Sequence, residues 1–367
     1  MERLEPRDPL PFEPHFEQIP DDEADTIQQM VDAMRTIADK TYEDSGLGLR
    51  CVHAKAHGLL QGRMTVLPGL PDPYAQGAFA LPGEYPVILR ISKNPGDILA
   101  DSVSTPRGLA IKIVSVEGDR LEGSEGHRTQ DFVMQNAPAF TAPDAKTFLK
   151  TLKLLARTTD KGEGLKKALS ATLRGAERIV EAVGGESSTL KSLGGHPETH
   201  PLGESFYTMA PFLYGPYFAK LSVVPVSPEL TALTDAPLNV NGKPDGLREG
   251  ITAFFAEHGG AWDVRVQLGV DIDKTPIEDA SVEWPEDLAT FVTVARIEVG
   301  PQPSWNDVRA QQIDDGMSFS PWNGLKAHRP LGGIMRSRKP AYEMSSQARS
   351  LRSGCPLHEP SSGLQLS

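Results

Sequence analysis

Cysteine is scarce in this sequence, which contains only Cys51 and Cys355. The two lie far apart along the chain, so we expect no structural disulfide and a reducing compartment. Long hydrophobic runs are also missing, because no stretch approaches the roughly 18 apolar residues that a membrane-spanning helix needs. The first residues, MERLEPRDPLPFEP, are charged and broken by proline, unlike a secretory signal. These absences predict a cytoplasmic protein without a membrane span.

Basic residues are fewer than acidic residues. The sequence has 37 Lys and Arg residues against 49 Asp and Glu residues, which gives a formal net charge of −12. An acidic surface repels phosphate backbones, so we expect no nucleic-acid partner. The 34 glycines and 31 prolines are too many for a helical bundle but too few for a disordered chain. This composition favours a loop-rich β or α+β fold.

Hydrophobic periodicity divides the chain into an N-terminal arm and helix (1–45), a core (46–350) and a tail (351–367) that we expect to be disordered. Apolar residues at three-four spacing predict a helix over 21–44. Short apolar or β-branched runs bounded by Gly, Pro and Asp predict strands in the core. The predicted strands lie within 50–67, 85–92, 108–116, 130–135, 206–226, 250–259, 262–272 and 291–300, helices are predicted at 141–158 and 161–185, and 318–351 passes from loop to helix. Antiparallel strands with one helical insertion predict an α+β fold, a β-barrel with helices packed outside.

Two histidines, His53 and His57, lie four residues apart. On a helix they would share one face as a metal pair. The zinc-protease motif also needs a glutamate after the first histidine, and Ala54 stands there instead. His53 lies in a predicted strand, where a single histidine is usually an ordinary core residue.

Several arginines lie near the ends of apolar runs. A buried group of arginines needs anionic partners, which are either acidic side chains or the carboxylates of a ligand. From the residues alone, scattered surface arginines remain the ordinary interpretation, as do a turn residue for Asn136 and a helix tyrosine for Tyr342. The arginines concerned are Arg50, Arg90, Arg107, Arg338 and Arg349.

Six motifs in a fixed order resemble those of the haem catalase superfamily. They are LRCVHAK, VILRISKNPGD, ADSVSTPRGLAIKI, QDFVMQNAPAF, KTPIEDASVEWPE followed by ARIEVGPQ, and Arg338-x-x-x-Tyr342 with Arg349 seven residues later. The resemblance spans residues 45–350 and is to the minimal catalase core of catalase-related peroxidases. It implies an antiparallel eight-stranded catalase-like β-barrel with surrounding helices, which binds haem b and its iron.

The resemblance also implies roles for individual residues. Tyr342 corresponds to the iron ligand, with Arg338 one helical turn earlier to donate a hydrogen bond to the phenolate. His53 corresponds to the base that takes a proton from peroxide and returns it to the leaving oxygen. Asn136 corresponds to the amide that holds peroxide, and Ser92 to the hydroxyl that fixes the histidine tautomer. The remaining cofactor-binding residues it implies are Arg50, Arg90 and Arg349 for the haem propionates, Val52 above the distal side, and Phe140 as a pocket aromatic; His57 has no implied role.

Two substitutions depart from the family pattern. Thr105 stands where an acidic channel residue is usual, and Thr141 replaces a second pocket phenylalanine. Both changes imply a wider or less polarised access path. The resemblance then implies heterolytic cleavage of hydrogen peroxide, followed by reduction with small organic electron donors (a peroxidase) or with a second peroxide (weak catalase activity). The chain is shorter than the full-length enzymes, so we expect a homodimer.

Two alternatives stay open. One is a lipid hydroperoxide isomerase or dehydratase of the allene oxide synthase type, although such enzymes have a threonine where Val52 stands. The other is a haem-binding protein without turnover, which would not need His53, Asn136 and Ser92 together.

Overall fold

The computed structural model describes residues 7–158 and 198–361 of the chain. The helix expected at 161–185 lies outside these residues. The described part is built around one antiparallel sheet. Its strands are β1 (Ala56–Val66), β2 (Gly83–Lys93), β3 (Arg107–Val114), β4 (Thr129–Gln135), β5 (Phe206–Tyr207), β6 (Phe212–Tyr214), β7 (Tyr217–Pro225), β8 (Gly260–Leu268) and β9 (Val292–Val299).

The sheet closes into a barrel. The strand order is β5-β4-β3-β2-β1-β9-β8-β7-β6, and β5 also pairs with β7. This last pairing closes a ring of eight strands and leaves β6 as a short addition beside β7. The eight-stranded antiparallel barrel expected from the sequence is therefore confirmed.

Strand alternation separates the barrel interior from a second, outward face. Leu89, Ile111 and Phe132 belong to the main apolar cluster, which fills the barrel. Because successive side chains of a strand point to opposite faces, their neighbours in sequence point outward. The outward positions of β2, β3 and β4 include Arg90, Ser92, Gly108, Ala110 and Val133. The polar residues of the site lie on this outer face.

Helices surround the barrel. The longer helices are α1 (Glu23–Ser45), α2 (Ala145–Thr158), α4 (Gly246–Glu257) and α6 (Gly333–Ser353). Two helices are short, α3 (Pro228–Thr231) and α5 (Asp307–Arg309). Helix α5 continues as a π-helical turn at Ala310–Asp315. Short 3₁₀ turns lie at Pro14–Phe16, Asp72–Tyr74, Gly77–Phe79, Pro201–Gly203 and Lys326–His328. α1, α2 and α6 share an apolar cluster that includes Met34, Leu149 and Met344. The helices expected over 21–44 and 141–158 are confirmed as α1 and α2.

One predicted strand is wrong. The segment 250–259 lies mostly in α4 rather than in a strand. Its β-branched and aromatic residues suggested a strand, but the buried residues Leu247, Ile251 and Phe255 are spaced by four, which is a helical face. The apolar run was too short for its period to decide between the two structures.

Arg336 anchors the first turn of α6. Its guanidinium donates to Glu17 at 2.9 Å, to Glu23 at 2.8 and 2.7 Å, and to Glu278 at 2.9 Å. Glu17 and Glu278 also accept from the backbone N–H groups of Gly332 and Gly333 at the start of the helix. Carboxylates at a helix N-terminus are favoured by the helix dipole. The network joins the N-terminal arm to the helix that carries Tyr342.

The first part of the C-terminal tail is packed on the barrel. Leu351–Ser353 complete α6, and the His358 N–H donates to the Gly316 carbonyl at 2.9 Å. Glu359 accepts from the buried Lys112 at 2.6 Å and from the Thr129 hydroxyl at 2.8 Å. In residues 351–361 this packing differs from the expected disorder. Among the described helices, none combines the length and apolar character needed to cross a membrane.

Candidate functional site

A cavity lies on the outward face of the barrel, between β2–β4 and helices α1 and α6. The space between its walls is roughly 600 Å³, a volume that includes open solvent. Apolar side chains such as Met34 and Phe319 form part of the wall. Seven of the ten predicted site residues also line it: Arg50, Val52, His53, Arg90, Ser92, Tyr342 and Arg349. Residues far apart in the chain thus converge on one cavity.

His53 precedes β1 and does not lie within a strand, contrary to expectation. Its φ of 54° is in the left-handed region, which is uncommon for a residue with a side chain. Two backbone contacts hold it there: its N–H donates to the Asn94 carbonyl at 2.8 Å, and its carbonyl accepts from Arg90 at 2.7 Å. Strained backbone of this kind persists only where surrounding contacts determine it.

The imidazole of His53 packs against the backbone of β3. A Cβ atom added to Gly108 would lie 2.5 Å from Cε1 of the ring, so only glycine leaves room for the imidazole. The Nδ1 atom of His53 lies 3.1 Å from the Ser92 hydroxyl, the contact that the sequence motifs imply. Ser92 and Gly108 face each other across β2 and β3, so the barrel positions both neighbours of the ring.

Burial lowers the pKa of His53 to about 3, and the nearby charges of Arg90, Arg338 and Arg50 act in the same direction. A buried imidazole surrounded by cations resists protonation because its charged form is poorly solvated and repelled. His53 is therefore neutral at physiological pH. A neutral ring has a free lone pair and can accept a proton.

Tyr342 and Arg338 lie one turn apart on α6. Arg338 Nη2 donates to the Tyr342 hydroxyl at 2.7 Å, and the guanidinium carbon lies 5.1 Å from the ring centroid. Tyr342 lines the cavity, whereas Arg338 contacts the tyrosine from within the same helix. The spacing of four alone brings these two side chains onto one helical face.

Three arginines converge on the π-helical turn before residue 317. Arg50 and Arg90 both donate to Asp314 Oδ1, Arg90 at 2.8 Å. Arg349 donates to the carbonyls of Asp314 and Met317 at 2.9 and 2.8 Å. Burial, then repulsion by Arg349 and Arg90, lowers the pKa of Arg50 well below its usual value. Within the described residues, Arg349 Nε is buried and has no hydrogen-bond partner. The cluster therefore has capacity for a further anion.

Two predicted residues lie elsewhere. The Asn136 side chain accepts from the Arg107 N–H at 2.9 Å and donates to Glu204 at 3.0 Å. Phe140 packs on Phe148 of α2, with ring centroids 4.9 Å apart. Neither residue belongs to the cavity wall in the part of the chain that the structure describes. Asn136 follows β4 and participates in a buried ion-pair network instead.

Sequence reasoning missed Gln135, the residue before Asn136. Gln135 is the last residue of β4, and its side-chain Nε2 lies 3.2 Å from His53 Nε2. The alternation of side chains along a strand could have indicated Gln135. Val133 lines the cavity, and residues two apart in a strand point to the same face. The motif resemblance instead selected Asn136.

His57 lies in β1 and is buried. Burial, then the charges of Lys93 and Lys55, lowers its pKa well below the usual value. Its Nδ1 atom is 3.7 Å from Asp101, which is too long for a hydrogen bond. In the described ranges, no group of three His, Cys, Asp or Glu side chains could hold a metal ion. Because β1 is a strand, His57 does not pair with His53 on one helical face.

No protein-family model matches the sequence, and no curated protein matches it. Solved structures are similar in fold. A fungal catalase has 17% identity and a TM-score of 0.59, with 84% of this chain and 60% of that chain covered. Catalase A from Saccharomyces cerevisiae has 16% identity and a TM-score of 0.57, with 84% and 62% covered.

A bacterial catalase has 16% identity and a TM-score of 0.56, with 87% of this chain and 62% of that chain covered. At such low identity these likenesses show the fold alone. The chain therefore has a catalase-like fold, as its motifs imply. It spans between 60% and 62% of the length of these catalases.

Proposed function

We propose that this chain binds haem in the cavity on the outer face of its barrel and reacts with hydrogen peroxide there. The observation that supports the proposal is the convergence of Tyr342, His53 and the arginine cluster on one cavity. These groups come from opposite ends of the sequence, so no local spacing brings them together. The catalase-like fold is consistent with this function.

The donor set of the cavity fits a haem. Tyr342, assisted by Arg338, offers a phenol oxygen suited to ferric iron. Arg50, Arg90 and Arg349 offer guanidiniums to the propionates, and the buried Nε of Arg349 has no protein partner in the described residues. Apolar side chains complete the wall, as a porphyrin ring requires. Pairing with carboxylates offsets the cost of burying guanidiniums.

The protein residues then manage the protons of peroxide. A ferric haem supplies the redox chemistry by which the O–O bond is reduced. The neutral His53 would take a proton from one oxygen of the peroxide and deliver it to the other oxygen, which would leave as water. Ser92 holds the ring in place through Nδ1. The low pKa of His53 keeps its ring neutral over the whole physiological pH range.

We further propose that small organic donors, rather than a second peroxide, are the main reductants. Thr105 stands where an acidic channel residue is usual, and its hydroxyl is buried without a partner among the described residues. Thr141 is exposed. If these two threonines line the access path, as the motif resemblance implies, the path lacks a fixed negative charge and a bulky ring there, which favours donors larger than peroxide. The enzyme is then a catalase-related peroxidase with weak catalase activity.

Haem reconstitution tests the proposal. The full chain is loaded with haem and given hydrogen peroxide, and oxygen evolution is compared with oxidation of a phenolic donor. We expect stoichiometric haem binding and donor oxidation faster than oxygen release. His53→Ala should retain haem but react with peroxide about 10²–10⁴-fold more slowly. Failure to bind haem would end the proposal, and faster oxygen release would identify a catalase.

A third substrate distinguishes a peroxidase from a lipid hydroperoxide isomerase or dehydratase. A polyunsaturated fatty-acid hydroperoxide consumed without donor oxidation would identify an isomerase or dehydratase. Haem binding without consumption of any peroxide would identify a binding protein. Exposed Thr290→Val on the same chain is the control for handling and reconstitution.

A further inference from the structure

The side chain of Gln135 bridges His53, a residue of the cavity wall, and Asn94. Its Nε2 atom lies 3.2 Å from His53 Nε2 and 3.3 Å from Asn94 Oδ1. An amide NH₂ group has two hydrogens to donate. The Gln135 amide can thus donate one hydrogen to each of these two atoms.

Asn94 is itself held by the backbone around His53. Its carbonyl accepts from the His53 N–H at 2.8 Å, and its own N–H donates to the Pro106 carbonyl at 2.9 Å. The same residue therefore supports the left-handed backbone of His53 and accepts from Gln135. The contact between Gln135 and His53 is part of a connected network rather than a chance approach of a surface side chain.

The orientation of the Gln135 amide sets which nitrogen of His53 carries the proton. An NH₂ donor facing Nε2 requires a lone pair there, so the hydrogen of the neutral ring must be on Nδ1. Nδ1 faces the Ser92 hydroxyl at 3.1 Å, which can accept it. The reverse amide orientation would place oxygen against Nε2 and would require the opposite tautomer. The tautomer is therefore the observable that decides the role of Gln135.

We infer that Gln135 is a positioning residue that fixes the proton of His53 on Nδ1 and covers the Nε2 lone pair until a substrate displaces it. This inference rests on the proposed function for its peroxide step. Before peroxide binds, the base is satisfied by the protein and held in the accepting form. Peroxide must replace the Gln135 hydrogen bond in order to give its own proton to Nε2. Gln135 then remains anchored to Asn94.

The adjacent amide has a different task. Asn136 donates to Glu204 and accepts from the Arg107 backbone N–H. Two consecutive amides at the end of β4 thus have separate partners. The assignment concerns Gln135 alone.

The tautomer is measured first, on the full chain without haem. Two-bond ¹⁵N–¹H correlation spectra of ¹⁵N-histidine-labelled protein report which nitrogen is protonated, and the His53 signals are assigned by their loss in His53→Gln. We expect the Nδ1–H form in the parent protein, the Nε2–H form in Gln135→Glu, whose carboxylate accepts, and a mixture in Gln135→Leu. A parent protein in the Nε2–H form, or a spectrum unchanged in both variants, overturns the inference. Exposed Gln18→Glu controls for the added charge.

The peroxide step is measured next, on haem-loaded protein. Gln135→Glu should keep its haem but react with peroxide at least about 10²-fold more slowly, because Nε2 is already protonated. Gln135→Leu should show a smaller loss of kcat and a lower KM, because no hydrogen bond must be displaced. A Gln135→Glu variant as fast as the parent overturns this step. The haem-free spectra distinguish that result from a failure of the proposed function, since they do not depend on peroxide chemistry.

Discussion

Arg338 Nη2 lies 2.7 Å from the Tyr342 hydroxyl, one helical turn earlier on α6. The two side chains meet inside a single helix, so their contact does not depend on how distant parts of the chain pack. A guanidinium beside a phenol oxygen stabilises negative charge on that oxygen. This pair is the basis of the first prediction.

Tyr342→Phe should lose most of its haem, because the phenyl ring offers iron no oxygen. Arg338→Leu should retain haem with a shifted absorption spectrum, because the oxygen remains but its cationic neighbour is gone. Titration with haem, followed by absorbance, measures both. Tyr42→Phe is the matched control, since Tyr42 also has an arginine, Arg352, 4.9 Å from its ring but lies on α1 away from the cavity. Full haem affinity and an unchanged spectrum in Tyr342→Phe would exclude Tyr342 as ligand.

The arginine cluster predicts a dependence on haem carboxylates. A charge-assisted hydrogen bond contributes about 1.5–3 kcal/mol, so Arg349→Gln should weaken haem binding about 10- to 150-fold. Haem dimethyl ester, which lacks both free carboxylates, should bind the parent protein weakly. Its affinity for the Arg349→Gln variant should be the same as its affinity for the parent protein. Buried Arg309, which donates to the Leu59 carbonyl and Gln302, supplies the control Arg309→Gln. If the substitution and the ester each lower haem affinity and their effects add, Arg349 does not contact the carboxylates.

His328 predicts acid lability of the barrel. It is buried among aromatic rings, its Nε2 accepts from the Ala78 N–H at 2.9 Å, and burial lowers its pKa to about 4. The folded state therefore binds fewer protons than the unfolded state between pH 6.5 and 4. The stability contributed by neutral His328 is complete above pH 6.5 and is lost as pH falls towards 4.

Urea unfolding from pH 7 to pH 4 measures this effect. The parent protein should lose up to about 3 kcal/mol more than His328→Gln over this range, at no more than about 1.4 kcal/mol per pH unit. Exposed His15→Gln should have the pH slope of the parent protein. A His328→Gln variant with that same slope would show that His328 does not titrate as the structure requires.

The packed tail predicts a stabilising role for Glu359. Lys112 is fully buried and donates to Asp131 at 2.8 Å and to Glu359 at 2.6 Å. Glu359→Gln leaves Lys112 with one anionic partner and should lower the free energy of unfolding by about 1–3 kcal/mol. Thermal unfolding measures it. Glu122→Gln, in the exposed pair with Lys339, should cause no measurable change; equal losses in the two variants would contradict the prediction.

Part of the site could be predicted because it depends on backbone period alone. The spacing of four in α6 joins Arg338 to Tyr342, and the period of two in β2 puts Arg90 and Ser92 on one face. The amphipathic pattern of α1 and α2 likewise survives in the structure. These relations follow from local geometry, which any sequence carries with it.

The same local rules failed where a short segment allowed two structures. Residues 250–257 belong to α4 because packing of Ile251 and Phe255 on the barrel favours a helix. In residues 354–361, where the sequence predicts disorder, the structure packs the tail on the barrel, and a buried lysine far away in sequence binds Glu359. Contacts between distant residues decided both outcomes.

The sequence by itself determined the order of the motifs, the alternation of the strands and the pairing within α6, because each depends on neighbours in the chain. Only the tertiary structure decided that Gln135 rather than Asn136 faces His53, and that Asp314 lies among the arginines. Those choices depend on how strands and helices separated by up to some 300 residues close around one cavity. The physical reason is that the period of a strand or helix depends only on neighbouring residues. The partners of a buried charge, in contrast, depend on which other charged groups the folded chain brings next to it.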